Sequence, residues 1–117
     1  MISEAAKELK KNTVIMTATF RRYDLEVLNI TYRQISEENE DCTLILELEC
    51  TEGDSPAEEV CVRINLYDGG GDMFYDTEYY IDADEVSSYM VCKVELKNSA
   101  RTLSKAKSAR IYMTGAW

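Results

Sequence analysis

The sequence predicts an all-β fold, an immunoglobulin-like antiparallel β-sandwich of about seven strands with a short N-terminal helix. Three observations carry that expectation. Apolar residues alternate with polar ones in short runs, the period of a half-buried strand. Clusters of Gly, Asp, Asn and Ser separate the runs. Nothing between the strands is long enough for repeated crossover helices, which excludes a βαβ architecture. An open or closed barrel is the alternative arrangement of the same strands. With 117 residues, 45% of them hydrophobic, the chain suits one domain. Residues 1–12 form the helix and 13–117 the sandwich of that single unit. Folding a chain of this size hides roughly two-thirds of the surface it exposes unfolded, enough for a core without staples.

Ser3 is placed to cap the helix, with Glu4 in its first turn and Lys7, Lys10 and Lys11 toward its C-terminal end. Ile2, Ala5, Ala6 and Leu9 share one face, so the helix must dock to persist. From Thr13 the helical period stops. Val14, Met16, Ala18 and Phe20 alternate with β-branched neighbours and read as a first strand. Residues 25–33 read as a second, with Leu25 and Val27 on one face and Leu28, Ile30 and Tyr32 on the other. Both faces are then partly apolar, which leaves the register open.

An acidic loop over 35–41 leads to the clearest alternation, Cys42, Leu44, Leu46, Leu48 and Cys50 against Thr43, Ile45, Glu47 and Glu49. Residues 51–59, with Gly53, Pro56 and four carboxylates, form a loop. Val60, Val62, Ile64 and Leu66 make the next buried face, with Cys61, Arg63, Asn65 and Tyr67 opposite. Asp68-Gly69-Gly70-Gly71-Asp72 turns the chain into a strand over 73–81. After a turn over 83–88, Met90, Cys92, Val94 and Leu96 point inward. A basic connection over 97–108, with one helical turn around 102–106, leads to a closing strand at Arg110–Met113.

The net charge is −9, and it is unevenly spread. Residues 1–33 carry six basic and four acidic groups, and 93–117 carry six and one. Residues 34–92 carry seventeen acidic groups against Arg63 alone, a net of −16. Direct binding to nucleic-acid phosphate is excluded, since that rests on clustered Lys and Arg. The same field repels anionic lipid, attracts a basic protein surface and favours solubility. The sequence opens without a signal-peptide pattern and has no membrane-length apolar run. That implies a cytoplasmic protein as written, or an extracellular one if a leader has been trimmed.

The chain has no histidine, which excludes Ser-His-Asp and Cys-His machinery. The four cysteines contain no Cys-x-x-Cys pair, so a zinc site is not expected. On one strand Cys42 and Cys50 stand roughly 27 Å apart and cannot bridge. Either can meet Cys92 across a sandwich, but with no leader four reduced thiols are expected. Cys61, on the outward face beside Arg63, is the thiol expected to be most accessible.

The run Val62-Arg63-Ile64-Asn65-Leu66-Tyr67-Asp68 resembles the signature of the FxLYD domain family. In that family an alternating apolar strand ends in Leu-Tyr-Asp and a glycine-bearing turn follows. The order of elements from about residue 25 to 114 is similar. Ile64 stands where phenylalanine is usual, and Asp84 to Ser88 replace the family's proline-glycine turn. The resemblance implies an immunoglobulin-like sandwich, commonly of bacterial envelope or surface proteins. It carries over no functional residue.

Three non-catalytic readings follow, with no cofactor implied. The first is an interaction module whose acidic strand face and tyrosines, Glu47, Glu49, Tyr67 and Tyr80, meet a basic protein partner. The second is a phage-type acidic inhibitor that imitates a phosphate array and blocks a DNA-binding or nuclease protein. The third is a calcium-stabilised surface domain, with Asp68, Asp72 and Asp76 as oxygen ligands. A solvated hairpin turn accounts for the same aspartates, because Asp and Gly are what such turns require. An exposed strand edge also offers a route to a homodimer.

Overall fold

The computed structural model describes residues 4–34, 42–51, 59–82, 88–96 and 105–115. Its elements are α1 (Glu4–Lys11), β1 (Thr13–Ile15), α2 (Thr17–Arg21), β2 (Leu25–Gln34), β3 (Cys42–Cys50), β4 (Val60–Tyr67), β5 (Met73–Ile81), β6 (Tyr89–Leu96) and β7 (Ser108–Gly115). The seven strands form two sheets, ordered β1-β7-β4-β5 and β2-β3-β6. The fold is an all-β sandwich with a short N-terminal helix. No described helix is long and apolar enough to cross a membrane. Ile2, Ser3, residues 35–41, 52–58 of the loop expected over 51–59, 83–87 of the turn expected over 83–88 and 102–104 of the helical turn expected around 102–106 lie outside the described residues.

One core joins the inner faces of both sheets. Leu44, Leu46 and Leu48 of β3 and Val62, Ile64 and Leu66 of β4 are all fully buried in it. Burying each such side chain contributes about 1.5–3 kcal/mol. The alternation expected for β3, β4 and β6 holds residue by residue, apart from the extra buried Cys61. Ala6 and Leu9 dock α1 onto the same core.

From sequence, β2 has two half-apolar faces, and the structure shows why. The register slips between Val27 and Asn29, so Leu28 is an extra residue opposite β3. One extra residue inverts the parity of everything after it. Leu25, Ile30 and Tyr32 are therefore all buried, while Leu28 is 50% exposed.

The first strand departs from expectation more sharply. It stops at Ile15, and Thr17–Arg21 form a helical turn instead of continuing to Phe20. Strand β1 runs parallel to β7, pairing Thr13 with Ala109 and Ile15 with Ile111; all other pairings among the described residues are antiparallel. Two competing bonds explain the break. The Met16 N–H donates to the Ile111 carbonyl as the last ladder bond. The Thr19 hydroxyl then donates back to the Met16 carbonyl at 2.6 Å and accepts the Met113 N–H at 3.0 Å. A side-chain oxygen thus stands in for the next rung, and Phe20 swings into the core, fully buried.

A second hydroxyl relay fixes this corner. The Thr13 Oγ1 donates to the Leu9 carbonyl at 2.6 Å, so it accepts the bond from the Tyr32 hydroxyl at 2.9 Å. Tyr32 is buried, and burial pushes its phenol well above the ordinary range. Without that acceptor the buried O–H would be costly.

Replacing Thr19 with Val keeps the shape but orphans the Met113 N–H. We expect Thr19→Val to lose about 1–3 kcal/mol in urea unfolding, while Thr19→Ser loses less than half as much. Equal losses for the two variants would mean that the hydroxyl does not complete the edge.

Candidate functional site

The structure separates the residues expected to meet a partner. Glu47 and Glu49 lie on the outer face of β2-β3-β6, where their register partners are Val91 and Tyr89. Tyr67 and Tyr80 lie on the outer face of the other sheet, at opposite ends of the β4-β5 pair. Four residues that sequence places in one acidic, tyrosine-bearing surface therefore belong to two faces. Strand alternation tells inward from outward, but not which sheet a strand joins.

On the β2-β3-β6 face, Glu26 stands directly opposite Glu49, and Asn29 opposite Glu47. The Tyr89 hydroxyl donates to Glu47 Oε1 at 2.8 Å. Asn29 also bonds the Glu47 carboxylate, and accepts from Lys10 Nζ at 3.5 Å through its Oδ1. The bond from Tyr89, then that from Asn29, hold the Glu47 carboxyl below its ordinary range. Reciprocally, Glu47 raises the phenol of Tyr89. Tyr89 and Val91 are both exposed at the edge of this face. Neither residue stood out in the sequence, since exposed strand positions read alike until their neighbours are known.

The outer face of the four-stranded sheet centres on Arg63. Its Nη1 reaches Glu78 Oε2 at 2.6 Å and its Nε donates to Thr114 Oγ1 at 3.0 Å. The Tyr80 hydroxyl donates to the other Glu78 oxygen at 3.1 Å. Cys61, expected to be the accessible thiol, is fully buried between its register partners Tyr80 and Thr114. It points away from the core, as its strand position requires, with Tyr80 and Thr114 as its neighbours across the two ladders. Burial pushes its thiol up, opposed by Arg63. All four cysteines are buried. Cys92 cannot cross the sandwich to Cys42 or Cys50, because β6 lies beside β3 in the same sheet and Cys92 faces Leu46.

The three aspartates offered as calcium ligands do not converge. Asp68 Oδ1 accepts the N–H groups of Gly70 and Asp72, both at 3.0 Å. The Gly71 N–H donates to the Asp68 carbonyl, and Gly71 takes a φ of +85°, which glycine adopts without strain. Asp68 thus organises the hairpin turn, while Asp76 lies up the strand opposite Asn65. Among the described residues, no group of three acidic, cysteine or histidine side chains gathers to hold a metal. Asp84 and Glu85 lie outside those residues.

No protein-family model matches this chain. No curated protein matches it either. Among solved structures it is similar to a crystal structure of Campylobacter jejuni cj0090, with 11% identity and a TM-score of 0.49. The likeness covers 89% of this chain and 97% of that one.

Two measurements check these placements. In a carbon-detected NMR titration, the Glu47 carboxyl should titrate below the ordinary glutamate range, and Tyr89→Phe should move it up; an unmoved midpoint would remove Tyr89 as the cause. An aromatic disulfide reagent at about pH 8 should label no thiol of the native protein within minutes, and all four in denaturant. Fast labelling lost in Cys61→Ser would show that Cys61 is open.

Proposed function

We propose that this chain is a noncatalytic interaction module, an immunoglobulin-like sandwich that meets a basic protein surface through the outer face of β2-β3-β6. The observation that carries the reading is the directly opposed pair Glu26 and Glu49, with Glu47 one rung away. Like charges facing each other across a strand pair reduce stability. Arg21 approaches Glu26 only at 3.9 Å, on an exposed surface where such a pair contributes little. A cationic partner would relieve this repulsion. Tyr89 and Val91 beside the carboxylates supply the apolar contact that a charged rim alone lacks.

The FxLYD-like run bears only on the sandwich part of this reading, since it lies on the other sheet. Val62 to Tyr67 fall on β4, and Asp68 opens the hydrogen-bonded glycine turn. An acidic mimic of nucleic acid needs unbroken rows of carboxylates. On this face Arg33 and Lys93 interrupt them, so a protein partner is the better fit.

The test uses the double substitution Glu47→Lys/Glu49→Lys, which sets a cation opposite Glu26. Relief of the Glu26–Glu49 repulsion offsets the exposed bonds from Tyr89 and Asn29 lost at position 47, so the variant should stay within about 1 kcal/mol of the wild type. Proteins captured by the tagged wild type should be lost to this variant. They should also be lost between about 0.1 and 1 M salt, as the Debye length falls from about 10 to 3 Å. Capture of the same proteins by a folded variant, or capture indifferent to salt, would overturn the proposal.

A further inference from the structure

Tucked against the start of β7 is a cavity of about 230 Å³ on the outer side of the four-stranded sheet, remote from the acidic face. It is lined by Asn12 and Val14 on one side, Ser108, Ala109 and Arg110 along its floor, and Tyr67 and Gly71 on the other. At roughly 30 Å³ per liquid water it holds about eight waters, the space of a small organic molecule. Gly71 has no side chain to fill the mouth, and no described residue lies within 4 Å of where its Cβ would stand.

Among the residues that line this cavity Arg110 is the charged one, and none is acidic. The Arg110 guanidinium lies over the Tyr67 ring, 5.7 Å from its centroid. Among the described residues it forms no ion pair with a carboxylate. Close by, Lys107 lies against the glycine turn, its Cγ 3.7 Å from where a Gly69 Cβ would stand. Lys105 sits 4.9 Å over the Phe74 ring. In a chain of net charge −9, three cations therefore gather at one end of a sheet, two of them held on aromatic faces rather than by acids. The turn that carries Gly71 also sets the carboxylates of Asp68 and Asp72 beside these cations, with Asp68 Oδ1 bonded to the turn amides.

We infer that this cavity binds a small carboxylate with an apolar body. Arg110 offers the planar fork that matches a carboxylate in two parallel bonds. Asn12 and Ser108 add hydrogen-bonding groups at the wall. Val14, which is 55% exposed, takes the apolar portion together with the Tyr67 ring. Stacking on Tyr67 orients the guanidinium before the ligand arrives, so less side-chain freedom is lost on binding. The site is independent of the acidic-face proposal, and neither depends on the other.

Benzoate is the probe, with acetate and inorganic phosphate as controls, followed by NMR on the full chain. Benzoate should shift Val14, Ser108, Ala109, Arg110 and the Tyr67 ring along one saturable curve. Arg110→Gln should weaken it about tenfold or more, the loss expected for a charge-assisted pair. Arg110 is exposed, so this variant should fold as the wild type does. Acetate should bind at least about tenfold more weakly, since it lacks the body that Val14 and Tyr67 cover. Tyr67→Leu should cut benzoate affinity and narrow its advantage over acetate. Absence of saturable shifts would overturn the inference. So would equal benzoate affinity in Arg110→Gln. If phosphate matched benzoate, with shifts spread over Lys105 and Lys107, the site would be a general anion patch and the inference would fail.

Discussion

The sandwich depends on how the free edge of β7 is closed. Strand β7 pairs with β4 on one side and carries eight residues, but only three of them find a strand partner on the other side. Open backbone groups along an edge are a template for another chain. Here β1 covers the first part of the edge, and the Thr19 hydroxyl receives the Met113 N–H beyond it. The relay from Tyr32 through Thr13 to the Leu9 carbonyl then ties β2, β1 and α1 into one corner. Two threonines thus do what a longer strand would otherwise do. The helix that would fray alone is held by the same corner, with Ala6 and Leu9 in the core.

That closure explains which parts of the fold were legible in the sequence. Strands β3, β4 and β6 alternate because each has one face in the core and one outside, and the β3–β6 and β4–β7 ladders run without a register shift. Residues 13–20 show the same alternation and β-branching, yet Thr17 and Thr19 sit in a helical turn. Propensity could not distinguish a β-branched threonine in a strand from one whose hydroxyl replaces a ladder bond. The bulge at Leu28 misled in another way. It kept every apolar residue of β2 plausible but divided them between two imagined faces.

Site residues were legible only as far as a single strand reaches. Glu47 and Glu49 were readable as outward, and they are. Their grouping with Tyr67 and Tyr80 failed because sheet membership is set by pairings distant in sequence. Cys61 failed for a related reason. Its outward direction was correct, but exposure depends on what the neighbouring strands place beside it, here Tyr80 and Thr114. The aspartates of the turn looked like oxygen ligands because composition counts carboxylates without asking what they already accept. Asp68 accepts two amides of its own turn.

The net charge therefore gives a poor picture of the surface. Glu78 is occupied by Arg63 and Tyr80, and Asp68 by its turn. What remains outward on β2-β3-β6 is a short acidic group with opposed glutamates that no described cation fully relieves. At the start of β7, Lys105 and Arg110 rest on rings instead of acids. Ring faces hold a cation without neutralising it. A chain that is acidic overall thus keeps its opposed glutamates on one sheet and its ring-held cations beside the other. Strand register, rather than the segment totals of the sequence, decides which charges stand together.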